Sequence, residues 1–113
     1  MSLNWLWENK CGTLTARNDE GTREWECVLY DGNALMIALA EWEEDGKEYW
    51  QMCDFWSDED HMERILKDRA NEYKAIRLNT KKIAKSKLNK ILKACIKYGI
   101  EITLYAEEEG AEK

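Results

Sequence analysis

The apolar positions of this chain gather in one unbroken run, Ala34-Leu35-Met36-Ile37-Ala38-Leu39-Ala40, which ends at the charge of Glu41. Asp31-Gly32 precedes the run and Asp45-Gly46 follows it, and both dipeptides are typical of tight turns. A stretch of this kind between turn signals predicts a central strand, about 34–43, buried on both faces. Upstream the pattern changes to alternation. Trp25, Cys27 and Leu29 interleave with Glu24, Glu26, Val28 and Tyr30, which predicts a half-buried strand over 22–30. Residues 11–17 read as a first strand, with Leu14 and Ala16 on one face. Downstream, residues 48–56 read as a fourth strand. Strict alternation there puts Tyr49, Gln51, Cys53 and Phe55 on one side and Trp50, Met52, Asp54 and Trp56 on the other.

After residue 56 the period lengthens. Ser57-Asp58-Glu59-Asp60 has the composition of a helix start, with Ser57 as the capping residue and acids at the positive end of the helix dipole. Met62, Ile65, Leu66 and Arg69 follow at helical spacing and predict a helix over about 58–70. Residues 73–78 form a short strand. Asn79-Thr80 starts a second helix with the stripe Ala84, Leu88, Ile91, Leu92 and Cys95, ended by Gly99. Ile100, Ile102 and Leu104 alternate in a last strand.

The predicted order β-β-β-β-α-β-α-β is α+β. It describes an antiparallel meander of about four strands followed by α-β-α-β, with two helices on one face. One domain over 1–106 is expected, with 107–113 an acidic, frayed tail. The N-terminal Leu3, Trp5, Leu6 and Trp7 either pack on the sheet edge, form a short helix, or reach out as an aromatic anchor. Packing is the expected fate of large aromatics.

Charge changes the picture more than composition does. The 113 residues carry a net charge of −6. Residues 1–60 hold fifteen acids against four bases, whereas residues 81–98 hold seven lysines and no acid. An acidic body opposes simple nucleic-acid binding, which depends on neutralising phosphates, and suits a basic protein partner. The six Trp and five Tyr are many for this length and raise both the core and the binding-surface readings.

The four cysteines, Cys11, Cys27, Cys53 and Cys95, are scattered and form no CxxC pair. The N-terminus lacks the charged and apolar regions of a signal peptide, and no run is long enough to span a membrane. The thiols are therefore expected to be reduced and the protein cytoplasmic.

Two charged constellations stand out. The first is acidic and Trp-containing: Trp42, Glu43, Glu44, Asp45 and Trp50 around one hairpin, then Trp56, Asp58 and Glu59 where the first helix begins. Aromatics anchor and charges orient, so this group is the expected partner-binding surface. The second is the helix over 80–98 with Lys81, Lys82, Lys85, Lys90, Lys93 and Lys97. It reads as a solvated face or, alternatively, as a nucleic-acid-binding surface. Lysines in its first turn and the missing Glu partners at i,i+4 set it apart from an ordinary exposed helix. Cys53 and the single histidine, His61, have the chemistry of a nucleophile and a base, but no catalytic, phosphate-binding, calcium or zinc spacing is present. No enzyme activity, metal or cofactor is expected.

In size and composition the chain resembles small, acidic, Trp-rich accessory proteins of bacterial phages and mobile elements. That likeness implies an inhibitor of host defence that imitates nucleic acid. The sequence therefore points to a non-enzymatic interaction protein, able in principle to form a homodimer through its strand edges or opposite charges.

Overall fold

The computed structural model describes residues 3–30 and 34–107. Its elements run α1 (Leu3–Glu8), β1 (Lys10–Asn18), β2 (Gly21–Tyr30), β3 (Ala34–Glu44), β4 (Lys47–Trp56), α2 (Glu59–Asp68), β5 (Tyr73–Asn79), α3 (Lys85–Tyr98) and β6 (Glu101–Tyr105). The fold is α+β. Among the described residues, three helices accompany one six-stranded mixed sheet in the order β4-β3-β2-β1-β5-β6. β1 through β4 pair antiparallel with their neighbours, β1 also pairs antiparallel with β5, and β5 pairs parallel with β6.

Turn chemistry explains the hairpins. Asn18 pairs with Gly21, whose φ of 120° favours glycine. Between β3 and β4, Asp45 (φ 52°) and Gly46 (φ 77°) are both left-handed, the two-residue turn whose twist matches the flanking strands.

The apolar run is a strand buried on both faces, though not a central one, since β3 lies second from the edge. Leu35 and Ile37 face α2 and α3, together with Leu14, Cys27, Trp56, Ile76 and Leu78. The helices contribute Met62 and Leu66 from α2, and Leu88, Ile91, Ala94 and Cys95 from α3. Met36 and Ala38 face the other way, where Leu6 of α1 closes a second, smaller cluster. Of the N-terminal segment, Leu6 and Trp5 therefore pack, while Trp7 is 47% exposed. Asn9 ends α1 by donating from its backbone N–H (3.1 Å) and side-chain amide (2.9 Å) to the Trp5 carbonyl.

Three expectations are corrected by the structure. Ser57 does not cap α2. Asp58 takes that role, accepting from His61 N at 2.8 Å, while the Ser57 hydroxyl meets His61 Nδ1 at 3.1 Å. α3 begins at Lys85, not at residue 80, and the Asn79 side chain instead organises a turn and holds the chain after β6. Its Oδ1 accepts from Lys81 N and Glu107 N, and its amide donates to the Glu107 carbonyl. Lys81 and Lys82 therefore lie outside the helix, and no dipole penalty applies to them. Glu107, expected in the tail, is tied to the folded body through Asn79; residues 108–113 lie outside the described residues.

The third correction is to face assignment in β4. Ile37 pairs with Asp54 and Ala38 with Met52, which leaves Cys53 as an extra, bulged residue. A bulge reverses side-chain parity along the strand. Trp56 accordingly faces α2 and α3, and Trp50 faces α1.

Candidate functional site

The expected acidic, Trp-containing surface is divided by the strand that carries it. The turn at Glu44 and Asp45 stands at one end of β4 and the start of α2 at the other, roughly 30 Å apart at ~3.3 Å per residue. The turn end is open. Glu44, Asp45 and Lys47 are exposed, and so are Tyr49 (38%) and Met52 (49%) on the adjoining edge strand. The side chains of Trp42 and Glu43 lie outside the described residues. Trp50 is half-buried, stacked on Trp5 with ring centroids 6.5 Å apart and planes 15° apart. Trp5 meets Tyr30 edge-on at 6.0 Å, and Tyr30 meets Phe55 at 5.8 Å. This aromatic chain stiffens the hairpin from behind.

The other end is closed. Trp56 is 0% exposed and 6.4 Å from the Tyr73 ring, so its place among the partner-binding residues is withdrawn: the bulge at Cys53 turns it into the core. Its Nε1 has no hydrogen-bond partner among the described residues. Asp58 and Glu59, both exposed, line a cleft of about 340 Å³ with Ser57, Met62, Ala84, Ser86, Lys87 and Lys90. Asp58 caps α2 and faces the amines of α3. Lys87 donates to the Trp56 carbonyl at 3.4 Å; burial, reinforced by Lys90 and opposed by Asp58, lowers its pKa. The acids here balance local lysines instead of extending the hairpin's field.

The Lys-rich segment divides as well. Lys82 donates to the Glu8 carbonyl at 3.0 Å and Lys97 pairs with Glu63 at 3.2 Å. Lys81, Lys85, Lys90 and Lys93 are exposed. Leu88, Ile91, Ala94 and Cys95 form the buried stripe, so the lysines of α3 occupy its outer surface.

Cys53 and His61 have separate partners. The Cys53 thiol lies 3.6 Å from Asp54 Oδ2 and 3.7 Å from Tyr73 Oη. Burial and the Asp54 charge push its pKa up to about 11, against the pull of Arg69, so the thiol is protonated at neutral pH. Burial likewise raises Cys11 and Cys95 to about 12, and Cys27 well above its ordinary value. All four cysteines are free. Asp54 is held by Arg69 (2.9 Å), which also reaches Glu72 (3.1 Å). Burial nevertheless outweighs the guanidinium and raises the Asp54 pKa.

Sequence reasoning missed Tyr49 and Met52 as surface residues. Strict alternation grouped Met52 with Trp56; in the structure Met52 stays on the α1 face with Trp50 and is exposed, and nothing in the composition of β4 marks the bulge that separates it from Trp56. Among the described residues no helix is long and apolar enough to cross a membrane. No protein family matches the chain's sequence, and no curated protein or solved structure is detectably similar to it.

Proposed function

We propose that this is a non-enzymatic interaction protein of the bacterial cytoplasm that binds a basic protein partner through the β3–β4 hairpin. Exposed Glu44 and Asp45 stand at the tip, and exposed Tyr49 and Met52 follow on the same edge strand, one on each face of the sheet; that succession carries the reading. Charge at the tip steers a basic surface, and the apolar positions behind it provide contact area once water is expelled. The stacked Trp5 and Trp50 hold that edge in a fixed shape, which lowers the ordering cost of binding. A partner that normally binds nucleic acid fits the chemistry best, with the hairpin carboxylates in place of phosphates. On this reading the protein is an accessory factor of a phage or mobile element.

Affinity capture from nuclease-treated bacterial lysate tests this, with the Glu44→Lys/Asp45→Lys variant run in parallel. A basic protein retained by the native chain and lost with the variant, while the variant's melting temperature is unchanged, supports the reading. Equal capture by both removes it.

A second reading rests on Lys85, Lys90 and Lys93, which are exposed on a helix without a single acid. On this reading that face binds nucleic acid. Retained nucleic acid that disappears on Lys85→Glu/Lys90→Glu/Lys93→Glu, and not on hairpin reversal, would put this reading first.

A further inference from the structure

The sheet edge opposite the hairpin carries a second surface. Among the described residues β6 pairs only with β5. Tyr105 turns its carbonyl inward, accepting from Thr80 N at 2.8 Å. Backbone directions alternate along a strand, so Ile102 and Leu104 point their N–H and C=O groups away from β5, where no described strand pairs with them. Their side chains share the helix-covered face. Ile102 packs against the core beneath α3, and Leu104, two residues on, is 43% exposed.

α3 provides the other wall. Lys97 pairs with Glu63 of α2 and Lys90 lines the cleft shared with α2, so one flank of the helix faces inward along the sheet. At about 100° per residue, Leu92 and Ile96 emerge on the opposite flank, towards β6. Leu92 is half-buried against the core. Ile96, one turn on, is 75% exposed, more than any other large apolar residue described. Exposed Lys85 and Lys93 crown this flank. On the far face of the sheet, Arg77 projects from β5 with its guanidinium 5.0 Å from the Tyr105 ring centre.

We infer that this edge accepts an extended peptide segment alternating apolar and acidic residues, added as a further strand beside β6. The free backbone groups of Ile102 and Leu104 pair with it, as in strand addition generally. One side of the segment then lies in the trough between Leu104 and the Leu92–Ile96 ridge and is apolar. The other side falls on the Arg77 face and is acidic; Lys85 and Lys93, above the apolar side, add only a long-range attraction of the same sign. Glu101 and Glu107 bracket β6 at its ends and place the segment's acids towards its middle. This surface is independent of the hairpin and occupies the other edge of the sheet.

The test uses two fluorescein-labelled dodecapeptides, one alternating Val and Glu and one alternating Val and Lys, titrated into the full chain at low salt. Anisotropy should show the Glu peptide binding at least about tenfold tighter. Leu104→Lys and Ile96→Glu change exposed side chains and should each weaken it about tenfold with the melting temperature retained. Arg77→Glu, at an exposed side chain, should narrow or reverse the preference. Hydrogen exchange should slow at Ile102 and Leu104 in the presence of the Glu peptide. Absent binding, equal binding of the two peptides, or protection confined to β4 would overturn the inference. Concentration-dependent self-association abolished by Leu104→Lys would also overturn it, by assigning the trough to a second copy of the chain.

Discussion

Trp5 stacks on Trp50 at 6.5 Å, joining the first helix to the edge strand of the sheet. The contact covers the side of β3 opposite α2 and α3, where Leu6, Val28, Met36 and Ala38 are buried. Replacing Trp5 with Ala should cost about 3 kcal/mol, the range for losing a large packed aromatic. Trp50 would then face water, so its emission should shift to the red before global unfolding. Chemical denaturation followed by fluorescence reads both effects; an unchanged midpoint would mean that the Trp5–Trp50 stack contributes nothing to stability.

Gly12 has a role that its place in a strand conceals. A Cβ at this position would collide with the Arg77 carbonyl on the neighbouring β5. Gly12→Ala should therefore separate β1 from β5 and cost at least about 3 kcal/mol, at the upper end of overpacking effects. Gly46→Ala, which meets no neighbour but sits at φ 77°, should cost only about 1 kcal/mol. Urea midpoints of the two variants give the comparison directly.

Arg69→Ala would leave the Asp54 carboxylate, 9% exposed, without its guanidinium. Because Arg69 is itself partly exposed, the expected cost at pH 7 is about 2 kcal/mol, below that of a fully buried pair. The Asp54 pKa is already raised by burial, so the folded chain holds that proton more firmly than the unfolded one. Its contribution is therefore greatest in acid and is lost as pH rises through the raised folded pKa. Losing Arg69 raises the pKa further, so the penalty should shrink at pH 4, where the acid is more readily neutral. A penalty equal at both pH values would show that Arg69 acts only through packing.

The buried thiols predict alkaline sensitivity. Folding raises Cys11 and Cys95 from 9.0 to about 12 and Cys53 to about 11. Between these values the folded chain binds more protons than the unfolded chain, so stability falls as pH rises above 9. Cys11 and Cys95 each contribute up to about 1.4 kcal/mol per pH unit in that interval, and the half-exposed Cys53 less. Cys95→Ala should reduce the loss of stability between pH 9.5 and pH 10.5 relative to the parent. A thiol-specific disulfide reagent at pH 8 should label Cys53 first, and the other three only on unfolding.

The readable parts of the fold are those governed by neighbours in sequence. Asp45-Gly46 specifies its turn through positive φ, Gly99 ends α3 in the left-handed region, and alternation marks β2. What was hidden depends on contacts from far along the chain. The burial of β3 on both faces suggested a central strand, but α1 and not further strands completes it. The start of α3 falls at Lys85, beyond the expected residue 80, because residues 80–83 form a turn and bend, with the Asn79 side chain joining Lys81 to Glu107, a residue far along the chain. Trp50 and Trp56 look equivalent at even positions, and a single bulged cysteine sends one to α1 and the other to the core. Of the acidic, Trp-containing group, exposure follows from local sequence only at the hairpin, where Glu44 and Asp45 sit at the turn itself.

β1 sits between two partners that arrive at different times. On one side it pairs with β2, its neighbour in sequence; on the other it waits for β5, with Leu14 opposite Ile76. The hairpins between β1 and β4 close short loops and form on a scale of about 1–10 μs. The join to β5 must close a loop of more than half the chain, which is slower. During synthesis, at roughly 5–20 residues per second, the helix-facing side of the first four strands emerges seconds before α2, β5 and α3 can cover it. Leu14, Leu35, Ile37 and Trp56 are then the adhesive side of an unfinished sheet. Only the finished fold, with its later elements in place, buries all four residues.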